Sequence, residues 1–417
     1  MAGNRTVLVP LESWAYSSPE LMLSGRQIDI GLFAEALIYY DTVLVNPSNQ
    51  YQLADFISWF IRQGSLNDFY MLLNEGNLKI YEYSFISTAI EKDGEYSLWN
   101  IQDTLQAKKD SFEERFLYHS SIEELFSKSR QRKYLYSAFR DNVIEVKSDD
   151  FGSAIENARA DFKDPRRNSL IVQSFIDEIY RIKNFGRPPQ VATTISDSPC
   201  GTKQTLSFNV NFEELNKIAG GQINFHKATP LTASAHSNRL IWSASTIKSD
   251  LFLPRPMGSL VGDKLYESKE RITKSGSIIE ELKEVVEFPD VRGLVNSNKL
   301  SLKDILLIRK KAKKFRHWLQ QENGRDRDAL IAYHNEVAKE IGLIVGARKA
   351  LSIFGVIGGS VVGVAVAAQA GDTMGAITGS AAAYLADVGS KIGKDWKPVI
   401  FGDWLRTRIE KVIADDE

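Results

Sequence analysis

The chain has 417 residues, with 52 Lys and Arg against 53 Asp and Glu and a net charge of −1. A balance that close excludes a polycation that coats nucleic acid through bulk charge, and it excludes an acidic disordered chain. The single cysteine, Cys200, excludes an internal disulfide framework and a cysteine-rich zinc module.

The apolar run Val7–Val9 is far shorter than the core of a signal peptide, and Glu12 follows at once, so the expected location is the cytoplasm. That run reads as a strand closed by Pro10. Leu32, Phe33, Ala36, Leu37 and Tyr40 then recur at helical spacing, and Thr42–Val45 is a β-branched strand ended by Asn46-Pro47. Leu53, Phe56, Ile57, Phe60 and Ile61 make a second helical face, a short helix follows over 67–75, and Leu78–Tyr83 alternates as a strand. Strand, helix and strand at these lengths predict a short parallel βαβ-type sheet, an α/β or α+β beginning.

From Thr104 to Phe139 the pattern is helical and charged, with Phe112, Phe116, Leu125, Phe126 and Tyr134 as core contacts, and 142–146 reads as another strand. Ser169–Ile182 is an amphipathic helix, and Gly186–Pro189 is a linker. Leu206, Phe208, Val210 and Phe212 alternate as one half-buried strand, and Thr229-Pro230 opens a helix. Ser301 and Asp304 form a capping box with Leu300 and Ile305 as a hydrophobic staple, and a further helix is expected over 328–341. The division expected is an α/β domain over 1–150, a mixed α+β region over 151–295 and a mostly helical region over 296–417.

Two features of the last region carry functional expectations. Residues 350–370 hold no charge, and after Asp372 the stretch 373–386 is again uncharged. Gly355, Gly359 and Gly363, then Gly371, Gly375 and Gly379, fall every fourth position in one register. On a helix this makes a groove without side chains, along which a second helix can approach closely, as helices do in lipid. About 20 apolar residues span the hydrocarbon core, so the length permits insertion as a helical hairpin. The segment resembles the glycine-zipper stretches of bacterial membrane-active and pore-forming proteins, which implies membrane association through self-assembly.

The second feature is Arg309, Lys310, Lys311, Lys313, Lys314 and Arg316, six cations in eight residues. Such a cluster meets anionic lipid headgroups, or the phosphates of a nucleic acid as the alternative.

No phosphate loop, zinc-protease motif or nucleophile elbow is present, and no cofactor is implied. His226 and His236 offer a nucleophilic pairing with Cys200 only in principle. Asp29, Glu35, Asp41, Asp55 and Asp68 lie near element ends, where carboxylates hold Mg²⁺ in nucleases. The expected function is a non-enzymatic, membrane-associating effector with a pore-forming or membrane-disrupting role in bacterial stress or defence. It would have a soluble sensing region and a conditionally inserting hairpin, at the inner membrane when engaged. The alternatives are a soluble interaction or nucleic-acid-associated protein with the hairpin as buried core, and a metal-dependent hydrolase using the N-terminal carboxylates.

Overall fold

The computed structural model describes residues 5–12, 19–82 with breaks at 24, 27, 48–49 and 65, then 86–90, 96–100, 112–145 and 157–197 without 159. It further describes most of 204–261, 290–316 without 314–315, and six positions within 405–414. The chain divides into two compact units, Arg5–Leu37 with Asp41–Val261, and Met1–Asn4 with Ile38–Tyr40 and Gly262–Glu417.

The first unit is built on five strands: β1 (Thr6–Pro10), β2 (Thr42–Asn46), β3 (Leu78–Glu82), β6 (Val143–Glu145) and β9 (Asp250–Leu251). Their order across the sheet is β6-β3-β2-β1-β9, and every neighbouring pair is parallel. Between them come α1 (Pro19–Leu23), α2 (Ile30–Tyr39), α3 (Gln50–Arg62) and α4 (Leu66–Asn74), then α5 (Phe112–Tyr118), α6 (Ser120–Leu125) and α7 (Ser129–Phe139). The return to β9 passes through α8 (Pro165–Lys183), α9 (Phe212–Ile218) and α10 (Thr229–Ile247). Two antiparallel hairpins, β4 (Ile86–Ile90) with β5 (Tyr96–Asn100) and β7 (Thr193–Asp197) with β8 (Gln204–Phe208), lie outside the sheet.

The topology follows from chain handedness. Parallel connections are right-handed, so steps from β1 to β2 to β3 put α2, α3 and α4 on one face. Reaching β9, on the far side of β1, reverses the direction and puts the return helices on the opposite face. Side chains of a strand alternate between faces. Leu8, Leu44 and Tyr81 accordingly share a core with Ile171, Phe175 and Ile179 of α8 and Ala233 and Leu240 of α10. The face of α2 to α4 is aromatic: Phe33 meets Phe56 edge-on at 4.8 Å, Phe60 meets Phe69 at 4.8 Å, and Phe69 meets Phe139 of α7 at 5.4 Å.

The expected parallel βαβ beginning is therefore present, and it extends further than the sequence predicts. β9 and α10, from the region read as a separate 151–295 part, complete the same sheet and its second face. The alternation over 206–212 resolves into a strand ending at Phe208 and a helix starting at Phe212, because the Asn211 side chain accepts from Glu213 N at 2.9 Å and caps α9. Tyr134 and Ile61 face outward, 66% and 39% exposed.

The described part of the second unit holds α11 (Val291–Asn296) and α12 (Leu302–Lys311). The capping box is formed, with Ser301 Oγ accepting from Asp304 N and Asp304 accepting from Ser301 N. Leu300 and Ile305 are both buried. The helix expected over 328–341 and the glycine-rich segment 350–386 lie outside the described residues.

Candidate functional site at the strand ends

The strand order reverses at β1: the chain leaves it toward β2 along one face and comes back to β9 along the other. In open parallel sheets, ligands bind at the carboxyl ends of the strands where the order reverses. At that place here the chain continues from β1 through Leu11 to Glu12. It is held by Leu11 N donating to Asn46 O at 3.2 Å and Asp29 N donating to Leu11 O at 2.9 Å. Glu12 also pairs with Ile28 as an isolated bridge. The Glu12 side chain is only 2% exposed.

Its partners come from α10. This helix has no single apolar face; its surroundings divide into four sectors. Ala233 and Leu240 enter the core under the sheet, while Leu231 and Ala235 enter a second cluster with Phe162 and Leu206. Ser234 Oγ and Asn238 Nδ2 each donate to Asp161 Oδ2 at 2.7 Å, and Arg167 pairs with the other Asp161 oxygen. The fourth sector presents His236 and Arg239 to Glu12. Between Ala233 and Leu240 every residue of the helix is buried, so its polar groups must be satisfied internally, and the Asp161 sector does so.

His236 Nε2 lies 2.7 Å from Glu12 Oε2 and 2.6 Å from Arg239 Nη2, and Arg239 Nη2 lies 3.4 Å from Glu12 Oε1. All three side chains are buried, Arg239 completely. Burial pushes the His236 imidazole below its usual range, the Arg239 guanidinium adds to that, and Glu12 opposes it. The neutral form of the imidazole is thereby favoured between the Glu12 carboxyl group and the Arg239 guanidinium. With the ring neutral, Nε2 accepts from Arg239 Nη2, and Glu12 Oε2 lies beside it within ion-pair distance.

The N-terminal carboxylates do not gather. Asp29 is buried and accepts from Leu32 N at 2.9 Å, capping α2. Asp41 accepts from Arg5 N at the opposite end of the sheet, Glu35 is buried within α2, Asp55 is exposed on α3, and Asp68 lies in the first turn of α4. Among the described residues, no group of three His, Cys, Asp or Glu is arranged to hold a metal ion. Cys200 lies outside the described residues, and His226 is exposed.

The basic cluster splits by residue type. Arg309 Nη1 donates to Tyr40 O at 2.8 Å, and Arg316 Nη1 donates to Ile38 O at 3.0 Å and to Arg309 O at 2.9 Å, all within the second unit. Helix ends leave carbonyls without partners, and a planar guanidinium satisfies two at once. Both arginines are 8% exposed. Lys310, Lys311 and Lys313 are exposed, and Lys314 lies outside the described residues with Gly355, Gly359, Gly363, Gly371, Gly375 and Gly379. Asp304 of the capping box also pairs with Arg408 at 2.7 Å.

The reading of the sequence missed Glu12 and Arg239 and placed His236 only beside Cys200. The available signals were a carboxylate directly after an apolar strand and an arginine inside a Ser/Ala-rich helix with no apolar face. No family model matches the sequence, and comparison with curated proteins and with solved structures finds no match.

Two measurements check this geometry. A histidine whose pKa is lowered by folding stabilises the protein above its unfolded value and loses that contribution as pH falls. The melting temperature is expected to drop between pH 7 and 5.5, and His236→Asn is expected to flatten that drop. His119, also lowered by burial, contributes to the slope that remains. Unfolding titrations are expected to show a loss of about 1.5–3 kcal/mol for Arg309→Ala, which removes a charged hydrogen bond. The same titrations should show less than about 0.5 kcal/mol for Lys310→Ala on the exposed face.

Proposed function

We propose that the chain is a non-enzymatic sensor and effector. The doubly wound unit binds a small polar ligand at the carboxyl ends of β1 and β9, and the C-terminal segment associates with anionic membrane and with copies of itself. The observation that carries the sensing half is the burial of Glu12, His236 and Arg239 together at the point where the strand order reverses. Buried ions contribute little net stability compared with apolar residues of the same volume, so their presence there points to recognition rather than to folding. His236 gives such a site a readout, because a ligand that engages Glu12 or Arg239 moves the imidazole proton.

The effector half rests on the sequence: 21 uncharged residues over 350–370 and the four-residue glycine register that continues to Gly379. Lys310, Lys311 and Lys313 support it, since exposed lysines near an anionic bilayer each contribute about 1 kcal/mol. Among the described residues no helix is long and apolar enough to cross a membrane. A role in bacterial stress or defence, with the protein cytoplasmic until it engages the inner membrane, is the setting that fits such a device.

Flotation of the full chain with anionic and neutral vesicles tests the reading. Co-flotation with anionic vesicles is expected, lost on deletion of 350–386 and on Gly359→Leu while the doubly wound unit keeps its cooperative melt. Co-flotation that survives the deletion, or its absence with both vesicle types, overturns the membrane assignment.

A further inference from the structure

The segment Lys128–Arg140 carries five basic residues and no acid. Folding as α7 sorts them. Arg132 turns inward, where it donates to Phe126 O at 2.8 Å and Ser127 O at 3.1 Å and pairs with Glu123 at 2.9 Å. Leu135 and Phe139, on the same side, are fully buried. The orientation of the helix is thereby fixed, and its opposite side presents Arg130, Lys133, Tyr134, Ser137 and Arg140 to solvent. Arg140 lies beside Asp141 at 3.4 Å. Among the described residues neither Arg130 nor Lys133 has an acidic partner.

Tyr134 is 66% exposed. It is also held: Tyr70 of α4 meets it edge-on at 5.5 Å, and α4 is itself pinned to α7 by the Phe69–Phe139 contact at 5.4 Å. The ring is therefore a held platform, with Arg130 one turn before it on the same face and Lys133 three residues from Arg130 along that side of the helix.

We infer that this face, Arg130, Lys133 and Tyr134 with Tyr70 beside it, binds single-stranded nucleic acid. The two cations hold successive phosphates, and a base stacks on the Tyr134 ring. Proteins that hold single strands without sequence preference combine these same two elements, cations along the backbone and aromatic rings under the bases. A lipid surface fits the face less well, because its outward side carries no Leu, Ile, Val, Phe or Trp to enter the acyl boundary. A duplex offers the phosphates but no unstacked base for the ring. The face lies in the doubly wound unit, apart in sequence from the segment that carries the membrane reading, so the two can fail separately.

The test is fluorescence anisotropy of the full chain with a labelled oligouridylate of about 12 nucleotides, repeated across salt concentrations. Binding is expected, weakened roughly tenfold by Tyr134→Ala, the scale of one stacked base. Arg130→Gln with Lys133→Gln is expected to lower the salt slope by about 1.4, two single-strand phosphate contacts. Both sets of side chains are exposed, so each variant should melt with the wild type. Absent binding at low salt, equal binding by the folded variants, or loss of anionic-vesicle binding in place of oligonucleotide binding overturns the inference.

Discussion

A parallel sheet cannot leave a face in water, because its crossovers cover both sides and its strands are apolar throughout. Every other feature of the first unit follows from that constraint. Val7, Leu8 and Val9 are all fully buried, and so are Val43 and Val45 in the neighbouring strand. Three consecutive right-handed steps in one direction cover only one face. The other stays open until the chain has travelled beyond residue 160 and returned through α8 and α10. The return ends in β9, two residues long, and Arg5 of the β1 entry pairs with Asp250 at 2.7 Å to hold it there.

That closure determines where polarity has to go. α10 lies between the sheet and a second apolar cluster, so it has no solvent side on which to place Ser234, His236, Asn238 and Arg239. Two internal partners, Asp161 and Glu12, receive them. The Asp161 set is saturated with neutral donors and one arginine, which makes it a structural clamp. The Glu12 set differs, since its imidazole nitrogen lies within 2.7 Å of both a carboxyl oxygen and a guanidinium nitrogen. Its position at the carboxyl end of β1 is the position that open parallel sheets reserve for ligands.

Much of the sheet was legible because β-branched runs closed by Asn-Pro or Gly leave a clear period, and the capping box at Ser301 was legible because its chemistry is local. The rest depended on pairings that sequence cannot display. β9 has two residues and no pattern of its own, and its place beside β1 depends on a contact more than 240 positions away. The run from Leu206 to Phe212 kept an alternating period through the helix start that Asn211 imposes. Arginine and lysine looked equivalent in the 309–316 cluster, yet Arg309 and Arg316 turn inward, where their guanidinium groups donate to Tyr40 O and to Ile38 O and Arg309 O.

The central claim is that the charges at the end of β1 are kept for recognition and not for the fold. The direct measurement is the unfolding free energy of the triple replacement Glu12→Leu, His236→Leu and Arg239→Met, beside Arg239→Met alone. Removing one member of a buried ionic set leaves an uncompensated charge, and the single variant is expected to lose about 3–5 kcal/mol. The triple variant is expected within about 1 kcal/mol of the wild type or above it, since apolar groups of similar volume replace such sets without loss. A triple variant as unstable as the single one would contradict the account and make the set a structural clamp like that at Asp161.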